Sequence, residues 1–298
     1  MRRVPDGVML VRRPSPPISI TSQDTDAVRR HPQFRSVVEG FVTANLRRYR
    51  ALSLIERWMV SDMGRASLSS IVFVLDAVNG LTPATFMTSR AVATGEVSRG
   101  RARLYLQRAV ANGLIEPVEP GAKLIGSTQL TTTPRFQTVM TGILNVAIEA
   151  AAALSPDAAP ALRQMARWTF VQQVSGRIGR IIASNPGLFP LTSPVQLFQA
   201  RDGGAQILGE LVTRQSTGRE RFLERCVYSN SALARTAFCS RAHVIQLLHD
   251  GKARGLLSFD GKVLTIEPEL SEAAEIYFAN LLAVVGAAAT RTLLKGWN

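Results

Sequence analysis

The sequence is poor in cysteine and lysine, and it lacks the common catalytic motifs. Two cysteines in 298 residues are too few for a disulfide framework, so we expect a reducing compartment. We also expect no apolar run long enough to cross a bilayer and no signal peptide at the start, which together predict a cytoplasmic protein without membrane contact. The chain has no G-x-x-x-x-G-K-[ST], G-x-S-x-G or H-E-x-x-H motif, so we predict neither an enzyme nor a bound cofactor.

A metal site is not predicted either, although cysteine and histidine occur close together near residue 240. Cys226 and Cys239 are too far apart for a compact zinc finger, and His243 and His249 point to different sides of one helix. Cys239 precedes a predicted helix, whose N-terminus lowers a thiol pKa. A redox switch at Cys239 is therefore the alternative to a small buried side chain.

Positive charge is abundant and is carried almost entirely by arginine. The formal net charge is +13, and 31 of the 35 basic residues are arginine. Arginine pairs with phosphate and guanine in a planar, bidentate manner, and this charge favours a nucleic acid or another anionic partner. A GC-rich genome also enriches arginine and alanine, so composition alone does not decide the function.

Helical periodicity and Gly/Pro breaks divide the chain into three parts. Residues 1–30 are basic and proline-rich, and we expect a flexible arm. Residues 31–155 and 156–298 each show apolar positions at helical spacing, with a break at "ALSPDAAPAL". We therefore expect two helical repeats after the arm.

An internal repeat supports this division. "SRGRARLYLQRAVANGLI" (98–115) aligns with "SRAHVIQLLHDGKARGLL" (240–257) at an offset of 142. Each copy continues into two strand-like pieces joined by a turn, and then into an amphipathic helix that Pro134 or Pro268 opens. The predicted order in each copy is helix, helix, short helix, turn, helix, hairpin, long helix.

This element order is that of the winged helix-turn-helix, and it resembles transcriptional regulators of the MarR type. In that family two chains pair through terminal helices to present two DNA-reading heads. The resemblance covers residues 31–298 and implies a mainly α fold with small β-hairpin wings, in which two winged helix-turn-helix repeats form a single-chain pseudo-dimer. It also implies double-stranded DNA as the partner, either for a monomeric pseudo-dimer or for a homodimer. No small-molecule effector can be named.

The second helix of each motif would enter the major groove with its N-terminal residues at base edges. In the first repeat Ala102, Tyr105, Leu106 and Ala109 are predicted core positions, matched in the second by Val244, Leu247, Leu248 and Gly251. Ser98 and Ser240 are the predicted N-caps. The predicted DNA-binding residues are Ser98, Arg99, Arg101, Arg103, Gln107, Lys123, Ser240, Arg241, His243, Gln246 and Lys262.

Several alternatives stay open at this point. The arginines could form a solvated face, and Glu116 and Glu119 beside the first wing would repel phosphate. The first head is more basic than the second. One hypothesis is that the chain binds an asymmetric operator, and the other is that the second head is mainly structural. Four aromatic residues have two interpretations, as core residues or as the lining of a small-molecule pocket between the halves: Trp168, Phe170, Phe189 and Phe198. Tandem winged helices also serve as scaffolds in chromosome-segregation complexes and as plasmid-type replication initiators.

Overall fold

The computed structural model describes residues 19–93, 97–215 and 220–294, and only the backbone of residues 90 and 91. The fold is mainly helical with two small antiparallel sheets. The helices of the first half are α1 (Ser22–Arg29), α2 (Phe34–Ala51), α3 (Leu54–Met59), α4 (Met63–Ala77), α5 (Pro83–Met87), α6 (Arg90–Ala93), α7 (Arg99–Ala111) and α8 (Pro134–Leu154). Those of the second half are α9 (Trp168–Ser184), α10 (Gln196–Gln199), α11 (Gly204–Thr213), α12 (Asn230–Ala237), α13 (Arg241–Ala253) and α14 (Pro268–Leu294). Two 3₁₀ helices, Pro156–Gln164 and Pro186–Leu188, join α8 to α9 and α9 to α10.

The strands form one hairpin in each half. In the first half β1 (Ile115–Pro117) pairs with β2 (Leu130–Thr132), with Glu116 opposite Thr131. In the second half β4 (Leu257–Asp260) pairs with β5 (Val263–Ile266), and β3 (Arg225–Val227) adds to the other edge of β5. The predicted hairpins are therefore present, and the third strand β3 was not predicted.

The same order of elements occurs twice. We call α4 through α8 unit 1 and α11 through α14 unit 2. Each unit has a first helix, a short second helix that is divided into α5 and α6 in unit 1, a third helix, a hairpin and a long helix that begins with a proline. In unit 1 the place of β3 is taken by Leu81, whose carbonyl accepts a hydrogen bond from the Leu130 amide at 2.9 Å.

The two units exchange their preceding helices. α2 packs against α11 of unit 2 as well as against α8 of unit 1, whereas α9 packs against α4 of unit 1 as well as against α14 of unit 2. Phe34, Val38, Val42 and Leu46 of α2 accordingly belong to the apolar core of unit 2. In the other direction, Val284 and Ala288 near the end of α14 lie in the core of unit 1. Each of the two cores is therefore built from residues of both halves.

Close helix packing requires glycine at two positions of α11. A Cβ on Gly204 would lie 1.8 Å from the carbonyl oxygen of Phe198, and one on Gly209 would lie 2.9 Å from the Val42 side chain. Gly209 thus permits the close approach of α2 to α11.

The expected flexible arm is wrong for residues 22–29, which form α1. Thr21 caps this helix, and its capping box with Asp24 is complete. The Thr25 hydroxyl donates to Asn280 of α14 at 2.8 Å, and Arg29 pairs with Glu275 at 2.9 Å. Residues 1–18 of the predicted arm lie outside the described residues.

Two helices, α8 and α14, are long and apolar enough to cross a membrane by length and composition, which is weak evidence for such a role. The expectation that no apolar run reaches this length is therefore wrong. Their most apolar windows are 39% and 61% buried inside the protein. α8 packs against α2, and α14 packs against α9 and α1, so apolar faces of both helices are covered by protein.

Candidate functional site

The third helix of unit 1, α7, has the predicted cap and core face. The Ser98 side chain accepts a hydrogen bond from the Arg101 amide at 3.3 Å. The four residues at core spacing are all buried: Ala102, Tyr105, Leu106 and Ala109. The Tyr105 hydroxyl lies 2.7 Å from the Ser69 hydroxyl of α4, which fixes α7 on the helix beneath it. Both sequence predictions are confirmed.

The opposite face of α7 is positively charged. Arg99, Arg103 and Arg108 are exposed, and Gln107 lies between them. Arg108 also stands over the Trp58 ring at 5.0 Å, and Arg65 stands over the same ring at 5.0 Å. No salt bridge holds Arg99 or Arg103 among the described residues. Their charges are therefore available to an anionic partner.

Arg101, which was predicted to contact DNA together with Arg99 and Arg103, differs from them because its side chain is paired within the protein. Its guanidinium pairs with the Asp62 carboxylate at 2.5 Å, and that carboxylate is 1% exposed. Asp62 also caps α4 by accepting from the Arg65 amide at 3.0 Å. Burial raises the pKa of Asp62, whereas the Arg65 amide and the two guanidinium groups act to lower it. Arg101 thus ties α7 to the start of α4.

This ion pair continues into the second half of the chain. Arg65 pairs with Asp62 at 3.2 Å and with Asp202 at 2.6 Å. The Gly203 amide donates to the Ser61 carbonyl at 2.8 Å. The N-terminal ends of α4 and α11 are therefore joined, so the two units have a fixed relative position at this point.

The hairpin of unit 1 has a long connection of residues 118–129 between its strands. Lys123 is exposed in this connection, as predicted, and Gly121 has a φ of +80°. Glu116 and Glu119 are also exposed. The hairpin therefore carries charges of both signs and is a weaker anion-binding surface than α7.

In unit 2 the helix α13 has the same construction as α7. Ser240 accepts from the His243 amide at 3.1 Å, which confirms the predicted cap. The buried positions are again the predicted ones: Val244, Leu247, Leu248 and Gly251. Arg241 is exposed at the N-terminal end, whereas His243 is half-buried and its Nε2 has no hydrogen-bond partner within the described part of the chain.

The exposed face of α13 is engaged in contacts within the protein. The Gln246 amide donates to Asp250 at 2.8 Å, and Asp250 also pairs with Arg201. These hydrogen bonds, first that of Arg201, lower the pKa of Asp250. Gln246, predicted to contact DNA, is therefore held by a carboxylate, and this face is less basic than that of α7. Lys262 is exposed beside Gly261 at the tight turn of the second hairpin, as predicted.

The two cysteines have raised thiol pKa values. Burial raises the pKa of Cys226 to about 11. Burial, and next the negative charge of Asp202, also raise the pKa of Cys239, although it precedes a helix. The expected lowering at Cys239 is wrong. In the described ranges no group of three or more His, Cys, Asp or Glu residues lies close enough to hold a metal ion.

The four aromatic residues considered for a pocket lie in packed surroundings. Phe170 and Phe198 are buried in the two cores. The Trp168 ring lies 4.6 Å from the Phe73 ring, and Phe189 packs edge-on against Tyr277. These contacts favour the core interpretation.

Comparison with protein-family models, with curated proteins and with solved structures gives no match for this chain. The functional interpretation therefore depends on the geometry and charge of the two units.

Proposed function

We propose that the chain is a DNA-binding transcriptional regulator that reads duplex DNA through two winged helix-turn-helix heads. Unit 1 and unit 2 would be the heads, with α7 and α13 as recognition helices and the hairpins as wings. This assignment is supported by the repeated element order and by the cap, core face and exposed face that α7 and α13 share. The exchange of α2 and α9 is the counterpart, within one chain, of the helix pairing that joins two subunits in a dimeric regulator.

The observation that carries the proposal is the face of α7. Arg99 and Arg103 are exposed near a capped helix N-terminus, where peptide dipoles add favourable potential for a phosphate. No exposed carboxylate occurs on this helix, because its thirteen residues contain no Asp or Glu. Such a surface attracts a polyanion, and arginine additionally distinguishes guanine in the major groove.

The two heads would not contribute equally. On α13 Arg241 remains available for a DNA contact, but the Gln246 side chain donates a hydrogen bond to Asp250. We therefore propose that head 1 supplies most of the affinity and that head 2 contacts DNA weakly through Arg241 and Lys262. An asymmetric operator follows from this difference.

The test is a salt series of fluorescence anisotropy with a random-sequence duplex of about 30 base pairs. Wild type is compared with Arg99→Ala/Arg103→Ala and with Arg163→Ala/Arg180→Ala, a control that removes the same charge from exposed positions away from both heads. Each lost phosphate contact should flatten the slope of log Kobs against log salt by about 0.9, so the first variant should lose about 1.8.

The control should retain the slope of wild type. Equal slopes for all three proteins would contradict the assignment of α7, and the absence of binding at low salt would contradict the proposed function.

A further inference from the structure

A cavity of about 300 Å³ lies between the two halves of the molecule. Its walls come from α2, α4, α8, α10, α11 and α14, and most of the side chains are aliphatic or aromatic. Ala66, Ala205 and Gly209 contribute little side-chain volume, which leaves the space open. Ser70, an exposed residue, also lines the cavity and places its mouth at the surface of α4.

One guanidinium group is held at this cavity without a carboxylate partner. Arg48 of α2 is partly buried, its Nε is buried without a hydrogen-bond acceptor, and no acid pairs with it in the described part of the chain. Within the described residues, the Arg48 side chain donates one hydrogen bond, from Nη2 to the Thr138 carbonyl at 3.2 Å. Burial lowers the pKa of Arg48. The site therefore retains an unpaired positive charge and a free donor.

The backbone of α8 makes room for this side chain. A Cβ on Gly142 would lie 1.2 Å from the Arg48 Nη2. The guanidinium thus rests directly on the helix surface, which limits its movement. A second unpaired polar atom lies across the cavity, because Oε1 of Gln206 on α11 is buried without a partner. Buried polar groups are nearly always hydrogen-bonded in native proteins, so the Arg48 Nε and the Gln206 Oε1 are the positions at which polar groups of a bound molecule would be accommodated.

We propose that this cavity binds an amphipathic organic anion, whose apolar body fills the space between α2, α8 and α11 and whose charged oxygens pair with Arg48. An N–H or O–H group of the same molecule would donate to Gln206. The volume is at the lower end of the range for small-molecule sites, which suits a ligand of one or two rings or a short acyl chain. This site does not depend on the proposed function, since its occupancy can be measured without DNA.

The test uses two fluorescent probes of similar shape and different charge. 8-Anilinonaphthalene-1-sulfonate is an anion, and N-phenyl-1-naphthylamine is its neutral counterpart; both become fluorescent in apolar surroundings. Wild type should bind both probes. Arg48→Gln should lower the affinity for the sulfonate by about tenfold or more and leave the affinity for the neutral probe unchanged.

Two further variants locate the site and control for overall charge. Arg47→Gln removes the same charge from the exposed neighbouring position of α2 and should leave both affinities unchanged. Ala205→Leu fills part of the cavity and should lower the affinity for both probes. The thermal midpoint of each variant establishes that it is folded.

The proposal is overturned if Arg48→Gln binds the sulfonate as wild type does, or if Arg47→Gln weakens it equally. Binding that is insensitive to Ala205→Leu would place the probes elsewhere and would also overturn it. The same holds if neither probe becomes fluorescent with folded wild-type protein.

Discussion

Replacing Asp62 or Arg101 tests whether Arg101 has a structural role that the exposed Arg99 and Arg103 do not have. Asp62→Asn retains a side chain that caps α4 and removes the charge that Arg101 faces. Breaking a fully buried pair costs about 3–5 kcal/mol, but the Arg101 side chain is 40% exposed and can be rehydrated. We therefore expect a loss of about 1–2 kcal/mol in the free energy of unfolding.

Arg101→Ala should cost somewhat more, about 2–3 kcal/mol, because it leaves the Asp62 carboxylate buried with Arg65 as its remaining cation. A loss of 2 kcal/mol corresponds to a decrease of about 3 °C in the thermal midpoint for a chain of this size. The double variant should be less destabilised than the sum of the single ones, with a coupling of about 1–2 kcal/mol.

Thermal and urea unfolding of the four proteins measure this cycle, and Arg103→Ala on the same helix is the control. Because Arg103 is exposed, its replacement should change stability by less than about 0.5 kcal/mol. The reasoning is refuted if Arg101→Ala is as stable as Arg103→Ala, or if the cycle shows no coupling. In the DNA assay Arg103→Ala should weaken binding, whereas Arg101→Ala should bind nearly as wild type does, since the Arg101 guanidinium is already paired with Asp62.

Three further predictions concern the fold. Partial burial acts to raise the pKa of Glu56, but hydrogen bonds from Arg135 and Ser53 leave it lowered, so this carboxylate stabilises the protein above its unfolded pKa. Glu56→Gln should therefore cost about 1 kcal/mol at pH 7. Urea titrations should show the difference shrinking as the pH falls below the unfolded pKa and through the lowered folded one; a difference that does not change with pH in the acid range would contradict this origin. Gly204→Ala places a methyl group against the carbonyl oxygen of Phe198 and should lower the free energy of unfolding by about 3 kcal/mol or more. Gly100→Ala, at an open helical position, is the control and should not destabilise the protein. Equal thermal midpoints for the two variants in differential scanning calorimetry would be inconsistent with the close contact. The fragment 156–298 lacks α2 and should not fold alone, but coexpression with 1–155 should restore a folded complex; a cooperative thermal transition of 156–298 by itself would refute the exchange of helices.

Local features of the fold could be predicted because they depend on neighbouring residues. Ser98 and Ser240 are good N-caps at the correct distance from an apolar face, and Asp260-Gly261 is a strong turn signal. The helices opened by Pro134 and Pro268 follow from the same kind of local rule. These elements are present as predicted.

The exchange of helices could not be predicted, because an apolar face shows that a helix is packed but not what it packs against. α2 and α9 have the same kind of amphipathic pattern whether they contact their own unit or the other one. α1 was missed because its short polar sequence follows a proline-rich segment, and its binding to α14 depends on long-range contacts such as Thr25 with Asn280.

Within the candidate site, sequence reasoning found the basic face of α7 but not the role of each arginine. Arg99, Arg101 and Arg103 are equivalent in composition, and only the position of Asp62, thirty-nine residues before Arg101, distinguishes the middle one. The Asp62-Met63-Gly64 segment resembles Asp202-Gly203-Gly204, and this was the available signal for a joined pair of helix ends. The cavity at Arg48 had no local signal, since its walls come from six helices.

The most direct test of the proposed DNA-reading surface is hydrogen–deuterium exchange with mass spectrometry, with and without the random-sequence duplex at low salt. Binding through head 1 should protect amides in residues 97–112 most strongly, and those in 240–246 to a smaller extent. The amides of α9 and of the last turns of α14 should exchange at the same rate in both samples. Protection that falls on α9 and α14 and not on α7 would contradict the account.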